Sequence, residues 1–348
     1  MTKRPLKFIL TASLLVSITA VTWAQEQDCL SKLDGAEQLF NNGLFEEVPA
    51  LLENCMELYS ETDKQKAYRL IILAHYMNDD VATAEESMYF LLKEFPDFMP
   101  VANDLVDFQY IFNSFSVRRS LDLGVSIGPA WTSGRIIEPF SPFSDKFTYK
   151  SNGPGLFAAA YIDIPVSSLV SINTEPGYLL AKYKIHYKDP INGNISIEQS
   201  ETSSLIQLPV YAKVTFLEST MQLYAKAGFM LGYMTGAKTQ SNIEKINAGS
   251  GAILYTQQSI QRDHMEYRNG LYYFLGGGAG LKINFKKSYV FTEVDYHVSL
   301  NKTLKEGTNR YDQTNLWTQA WIDSDFGLNN LSVRVGMAWS IYTIKKIR

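Results

Sequence analysis

Several segments of the chain alternate between apolar and polar positions, and nine ionisable side chains lie on the polar positions. They are the acids Asp122, Asp163, Glu175, Glu293 and Asp295 and the bases Lys213, Lys226, Lys282 and Arg334. If these positions face a confined interior, the charges must pair, because an unpaired buried ion is costly. The residue types therefore predict a network of ion pairs, with a path for protons or ions as the alternative.

No pattern of catalytic or metal-binding residues emerges from the sequence. The histidines, His75, His186, His264 and His297, are not spaced as ligands on one element, and there is no Gly-x-Ser-x-Gly motif. The glycine-rich run 276–280 lacks the Lys-Ser/Thr pair of a phosphate loop. We interpret it as a kink that lets a strand curve, and we expect neither an enzyme nor a cofactor.

The first 24 residues have the composition of a secretory signal peptide. Lys3, Arg4 and Lys7 precede the apolar stretch 8–21, and small residues at 22 and 24 suit a cleavage site. A retained membrane anchor is the less favoured alternative. The pattern predicts that the mature chain is exported.

Two cysteines, Cys29 and Cys55, follow the predicted signal. Export implies an oxidising compartment. The helical spacing around them predicts an antiparallel hairpin with one cysteine at the start of its first helix and the other at the end of its second. We therefore predict a disulfide, which would stabilise the fold by roughly 3 kcal/mol on the loop-entropy model.

Eight apolar-alternating segments occupy the rest of the chain. They lie near 120–131, 156–164, 170–185, 205–216, 221–234, 272–285, 289–300 and 331–342. The gaps between them are alternately long and short, as in barrels that cross an outer membrane with tight periplasmic turns and longer outer loops. No later apolar run is long enough for a transmembrane helix. We predict an eight-stranded antiparallel transmembrane β-barrel over 119–348, with a soluble lipocalin-like exported barrel as an alternative.

The two faces of each predicted segment differ in character. One carries large apolar residues and the other polar or small ones, so we place the apolar face on lipid and the polar face inside. Eight strands leave an interior that side chains alone can fill, which predicts a closed lumen. Aromatic residues toward the strand ends or on the lipid face are candidates for aromatic girdles, with ordinary strand aromatics as the alternative. They are Trp131, Tyr178, Tyr183, Tyr233, Tyr272, Tyr289, Tyr296 and Trp339.

Residues 25–101 show helical periodicity instead. Two pairs of helices are expected, with Gly43 between the members of the first pair and 78–80 between those of the second. They are similar to tetratricopeptide hairpins, which present a peptide-binding surface; a helical spacer is the alternative. Residues 102–118 form an amphipathic linker.

The net charge and the long loops indicate which kinds of binding partner to expect. The net charge of −4 gives no bias toward nucleic acid, so outer-membrane lipid and a periplasmic or outer-membrane protein are the expected partners. The third and fourth long loops carry residues suited to contacts, with flexible shielding as the alternative. These residues are Tyr255, Arg262, Tyr267, Arg310, Tyr311, Trp317 and Trp321.

Three stretches resemble the PorT-type outer-membrane β-barrel family of Bacteroidota. They are Glu-Pro-Gly-Tyr at 175–178, Ile-Gln-Leu-Pro-Val-Tyr-Ala-Lys at 206–213 and Tyr-Ala-Lys-Ala-Gly at 224–228, although Phe229 replaces the usual proline. The resemblance covers about 120–348, and the helical segment is similar to an extension that some members carry. It implies location and architecture; named members are associated with type IX secretion, but no functional residue carries over.

The combined expectation is an α+β multidomain protein. A small N-terminal α-helical domain with TPR-like hairpins precedes an eight-stranded antiparallel transmembrane β-barrel. We expect a non-enzymatic outer-membrane anchor with both termini in the periplasm, whose helical module binds a partner in envelope assembly or secretion. A surface-recognition protein acting through its outer loops is the alternative.

Overall fold

The computed structural model describes residues 27–102, 104–138, 147–188, 195–216, 220–247, 250–259, 261–307 and 324–347. The predicted signal peptide lies outside them. The described chain divides into a helical unit, which takes the residues up to Arg118 and those from Tyr342 onward, and a barrel unit, Arg119–Ile341.

Five helices form most of the helical unit. They are α1 (27–41), α2 (Glu47–Leu52, continued by a 3-10 turn over Glu53–Cys55), α3 (Glu61–Met77), α4 (Val81–Glu94) and α5 (Val106–Asn113). Two of them begin at a capping side chain: Ser60 accepts from Asp63 N–H and Asp80 accepts from Thr83 N–H. Such caps satisfy backbone donors that a helix start leaves without partners. None of the described helices has the length and apolar content needed to span a membrane.

The two helical hairpins repeat each other at an offset of 36 residues. Val48 and Ala84, Leu52 and Met88, and Cys55 and Leu91 are the fully buried pairs that this offset relates. The turns match as well, since Leu44 N–H donates to Leu39 O and Asp80 N–H to His75 O, each at 2.9 Å. The helical unit is therefore a tandem repeat of one hairpin, with α5 added at its end.

The predicted disulfide between Cys29 and Cys55 is present. Both cysteines are buried with Leu33, Val48 and Leu52. The Tyr59 hydroxyl donates to Cys29 O at 3.0 Å. The crosslink thus joins the start of α1 to the end of the first hairpin, as the helical spacing predicted.

Twelve strands follow in the described ranges, some of them short. They are β1 (Phe115–Glu138), β2 (Phe147–Ser151), β3 (Gly155–Pro165), β4 (Val170–Thr174), β5 (Gly177–Lys188), β6 (Ile195–Thr215), β7 (Met221–Ile246), β8 (Ile253–Gln258), β9 (Arg262–Asp263), β10 (Leu271–Phe285), β11 (Ser288–Ser299) and β12 (Asp325–Lys346). The long strands pair antiparallel in the order β1, β3, β4 with β5, β6, β7, β10, β11 and β12, and β12 neighbours β1. This is a ring of eight positions, and each predicted segment supplies one of them.

One predicted strand, 170–185, is interrupted. It forms β4 and β5, separated by Glu175 and Pro176. Proline has no N–H for the ladder, and the Glu175 side chain is completely buried. The break occurs where the chain places a carboxylate inside the barrel.

Strands extend further than the apolar alternation indicated. The expected loops 187–204 and 236–271 contain the first half of β6, the end of β7, and β8 and β9. Residues 195–204 of β6 pair with 236–245 of β7. Backbone pairing does not require an apolar face. The hydrogen-bonded hairpin of β6 and β7 therefore extends beyond the apolar band, whereas the alternation in the sequence ends with that band.

The exterior and interior of the barrel unit are clearly different. Large apolar side chains such as Val125, Val210 and Phe229 are exposed on the outside. Inside, three tyrosines that we expected in girdles, Tyr183, Tyr272 and Tyr289, are buried. They stand on inward positions of the alternation, so their assignment to the girdles was wrong.

Candidate functional site

The centre of the barrel interior holds two bases among three acids. Lys226 Nζ lies 2.6 Å from Glu175 Oε1, 2.9 Å from Glu293 Oε2 and 3.2 Å from Asp295 Oδ1. The Arg334 guanidinium contacts the same three carboxylates, with 2.5 Å between its Nη2 and Glu293 Oε1. All five side chains are almost fully buried. We call these residues the central cluster.

A second group lies nearer the end of the barrel that carries Arg119 and Ile341, which we call the proximal end. Lys213 Nζ lies 2.8 Å from Asp163 Oδ2 and 2.6 Å from the Tyr161 hydroxyl oxygen. Asp122 accepts from Arg119 and, at 2.8 Å, from Tyr289. Sequence reasoning missed Arg119, although it stands only three residues from Asp122.

Lys282 differs from the other predicted members of the network. No carboxylate among the described residues lies within ion-pair distance of it, and its Nζ sits 5.2 Å from the Tyr289 ring centroid. Its expected ion pair is therefore absent from the described part of the chain. The two nearby acids, Asp122 and Asp163, are already held by Arg119 and Lys213.

The glycine run in β10 makes room for these charges. A Cβ atom at Gly278 would overlap Asp295 Oδ1, and one at Gly280 would overlap the Tyr224 hydroxyl. Tyr224 donates to Glu293 at 3.0 Å. The small residues thus let the lumen side chains lie flat against the strand, which is a more specific role than the kink we expected.

An apolar layer lies beyond the central cluster. Phe157, Leu205, Met230, Met234 and Phe274 belong to one buried cluster inside the barrel. A cavity of about 20 Å³ lies beside it, lined in part by Gln207 and Asn330, and has room for about one water molecule. The interior is filled at this level, as expected for a barrel of eight strands.

A third polar group lies further along β6 and β7, toward the end opposite the proximal one, which we call the distal end. Arg268 pairs with Glu201, and both side chains are fully buried. Glu201 also accepts from Tyr183 at 2.5 Å and from Ser203 at 2.9 Å. We call this the distal cluster.

Sequence reasoning missed the distal cluster because Glu201 lay in an expected loop. The signal was present: Glu201, Ser203, Leu205 and Gln207 are all buried and share one parity of β6. Extending the alternation upstream from Gln207 would have placed Glu201 inside. Arg268 follows a 3-10 turn and had no such signal.

His264, which precedes that turn, is buried near the distal cluster. Its ring centroid lies 5.7 Å from that of Tyr267. Burial, and secondarily the positive charge of Arg268, lower the pKa of His264 below its usual value. At neutral pH this imidazole is therefore uncharged.

The residues proposed for outer-loop contacts are dispersed over several elements. Tyr255 is exposed on β8, Arg262 is exposed on β9, and Tyr267 is half-buried in the 3-10 turn after His264. The other four, Arg310, Tyr311, Trp317 and Trp321, lie outside the described residues.

The chemistry available to the interior is ion pairing. Within the described ranges, no group of three or more histidine, cysteine, aspartate or glutamate side chains is arranged to hold a metal ion. The acids of the central cluster are each bound by Lys226 or Arg334. This arrangement fills the middle of the described barrel interior with ion-paired side chains, three acids against two bases.

Several solved outer-membrane proteins are similar to this chain. The N-terminal β-barrel domain of OprF from Pseudomonas aeruginosa is 14% identical, with 63% of this chain and 97% of that chain covered and a TM-score of 0.23. Neisserial surface protein A is 9% identical, with coverages of 65% and 99% and a TM-score of 0.30. A major outer membrane protein from Thermus thermophilus is 11% identical, with coverages of 64% and 99% and a TM-score of 0.32. At TM-scores this low, none of these likenesses bears on what the chain does.

Family membership rests on sequence. No curated protein matches the chain. A family model described as the outer membrane protein beta-barrel domain matches residues 109–305. The match covers more than half of the 348 residues and includes all the strands from β1 to β11. The chain therefore belongs to the outer membrane protein beta-barrel domain family.

Proposed function

We propose that this protein is a non-enzymatic outer-membrane anchor that presents its helical unit on the periplasmic side to bind a partner protein. The family and the exposed apolar exterior support the membrane location over a soluble lipocalin-like barrel. The partner belongs to envelope assembly or secretion in this proposal.

The filled interior of the barrel argues against a function in transport. Its interior carries the central cluster, an apolar layer and the distal cluster in succession. Moving an ion through them would require breaking buried charge pairs, each of which is expensive to break. The ends of the barrel and the helical unit are left to carry the function.

The 36-residue repetition of the helical hairpin is the observation that carries the proposal. Tetratricopeptide repeats have a period of about 34 residues, and stacked helical hairpins present extended binding surfaces. Beyond the repeat, Met99, Val106 and Tyr110 are exposed. Exposed apolar side chains grouped in one region are typical of protein-binding surfaces.

The lengths of the turns support this orientation. The connections at the proximal end are short, which is the periplasmic pattern of such barrels. Residues 119 and 341 stand at this same end. The resemblance to the PorT-type family of Bacteroidota supports a periplasmic helical extension on an outer-membrane barrel.

Crosslinking in the native envelope tests this proposal. We expect a crosslinked partner that is lost when residues 28–100 are deleted and kept when the distal residues 250–259 are replaced by a short Gly-Ser linker. Barrel insertion of both variants is checked by membrane fractionation. Loss of the partner only in the distal variant would overturn the proposal in favour of surface recognition.

A further inference from the structure

The outward face of β6 shows where the apolar surface of the barrel ends. From Phe216, just after the strand, to Ile206, the outward side chains are apolar and exposed, with Val210 between them. At about 3.4 Å per residue and an inclination of about 40°, this span rises about 26 Å, which matches the apolar band of about 25 Å in outer-membrane barrels. The outward positions beyond Ile206 therefore reach the level of the lipid headgroups on the distal side.

Four lysines occupy outward positions on the distal side of this band. Lys182 of β5 and Lys238 of β7 both stand opposite Thr202 of β6, so they form one row. Lys150 of β2 stands directly opposite Lys184 of β5 in the next row. Each of the four follows a side chain that is buried in the barrel interior, so each points outward. We call these four residues the lysine rows; by the same measure, the rows lie about 10 Å and 16 Å beyond the apolar band.

The acids around the lysine rows do not neutralise them. Lys184 pairs with Glu198 at 3.1 Å, whereas the other three lysines have no acid within ion-pair distance among the described residues. Asp263 of β9 stands opposite Lys238, but its Oδ1 accepts from Met265 N–H at 2.9 Å. Four lysines against these two acids leave a net charge of +2.

The arrangement of the lysines indicates the kind of ligand that this surface suits. Like charges directly opposite each other on paired strands destabilise a sheet, and an anion bound between Lys150 and Lys184 would remove this repulsion. Neighbouring strands lie about 4.8 Å apart, so the two lysines of a row, one or two strands apart, can reach the same phosphate group. Because the same outward face contacts lipid below the rows, the anion that meets them is the phosphate of a lipid headgroup.

We propose that the lysine rows bind the phosphate groups of a glycolipid in the membrane leaflet at the distal end. The headgroup layer of a phospholipid adds only about 5–8 Å to the hydrocarbon core, which is less than the height of either row above the apolar band. A phosphorylated sugar headgroup is larger and can present phosphate to both rows. This inference rests on the proposed function for its orientation, which places the distal end on the outer face of the membrane.

Native mass spectrometry of the full-length protein in a neutral detergent tests the proposal, with diphosphoryl lipid A as the probe. The double variant Lys150→Gln, Lys182→Gln should raise the Kd of the probe at least about tenfold, because each lysine near an anionic headgroup adds to the attraction. The control Lys66→Gln, Lys245→Gln removes the same charge from exposed positions outside the lysine rows and should bind the probe as the wild type does. Equal Kd values for the two double variants would overturn the proposal.

Two further probes identify the source of the phosphate. Phosphatidylglycerol carries one phosphate close to its acyl chains, so we expect it to bind the wild type at least about tenfold more weakly than diphosphoryl lipid A. A large excess of inorganic phosphate should leave lipid A bound. Equal binding of phosphatidylglycerol would overturn the assignment to a glycolipid, and displacement by inorganic phosphate would overturn the assignment to a lipid.

Labelling of intact cells separates a failure of this inference from a failure of the proposed function. Ser250→Cys places a single reactive thiol in the exposed turn between β7 and β8, since Cys29 and Cys55 are joined in the disulfide. A membrane-impermeant maleimide should label this thiol in intact cells. Labelling together with equal Kd values for the two double variants would refute the lysine site alone. No labelling would refute the orientation in the proposed function, and with it the outer-leaflet glycolipid as the ligand.

Discussion

Lys226 contacts three buried carboxylates, the same three that Arg334 contacts. Its Nζ lies within 3.2 Å of all three, and the two bases share them among the described residues. Buried ion pairs add little stability relative to apolar packing, but removing one partner leaves an uncompensated charge. A single substitution that removes one base or acid of the central cluster should therefore destabilise the fold strongly.

Lys226→Met should lower the free energy of unfolding by about 3–5 kcal/mol. Urea unfolding in lipid vesicles, followed by tryptophan fluorescence, measures it. Lys184→Met is the matched control, because Lys184 pairs with Glu198 at 3.1 Å with both side chains partly exposed, and such a pair contributes at most about 1 kcal/mol. Equal losses from the two variants would mean that the central cluster is solvated.

The distal residue His264 gives the fold a dependence on pH. Its folded-state pKa lies below the value of about 6.5 expected when unfolded. The unfolded chain therefore takes up a proton first, and stability is complete above about pH 6.5 and lost as pH falls through the lower folded-state pKa. Stability measured from pH 8 to pH 5 should fall more steeply for the wild type than for His264→Gln. Parallel curves would contradict this reading.

The inward-facing acids and bases could be found from the sequence because alternation assigns each strand position to a face. Arg119 and the Glu201–Arg268 pair were not found, because we applied this rule only within the predicted strand segments. Arg119 stands at a strand end where the alternation of burial is irregular, and Arg268 reaches the interior from a connection. Contacts supplied by connections have no periodicity to reveal them.

At the scale of elements, the sequence located each ring strand but not its length. Apolar alternation marks only the band that contacts apolar surroundings. The paired extension of β6 and β7 lies outside that band, so the alternation did not predict it. Pro176 indicated a break between β4 and β5, but we predicted the two strands as one segment. The glycine run of β10 was recognised as structural, but its neighbours were not predictable.

The fit of β10 against β11 can be tested through its glycines. Gly278→Ala would push a methyl group into Asp295, and overpacking of this kind costs about 1–3 kcal/mol. Gly236→Ala is the control, since no heavy atom lies within 4 Å of the added Cβ. Urea midpoints that shift equally for both would contradict the close approach in the barrel wall.

The disulfide of the helical unit should contribute about 3 kcal/mol through the unfolded state. The double variant Cys29→Ser, Cys55→Ser should lower the melting temperature of the helical signal by circular dichroism. Reduction of the wild type should reproduce this shift, whereas the reduced double variant should melt as it does without reductant. A wild-type melt that reductant leaves unchanged would contradict the role of the crosslink.

At the scale of the whole molecule, the described interior of the barrel is filled by its own side chains. The central cluster, the apolar layer and the distal cluster block the interior one above another. The proposed function therefore assigns partner binding to the helical unit. This separation explains why ionisable residues inside the barrel are numerous although no reaction is expected of them.

Electrical recording of the purified full-length protein in planar lipid bilayers tests the closed lumen most directly. Insertion is verified independently by protease protection in vesicles made from the same sample. The filled interior predicts no current steps above the bilayer background at moderate voltage. A steady conductance proportional to voltage in the wild-type protein would contradict it and would return transport to the functions that this barrel can perform.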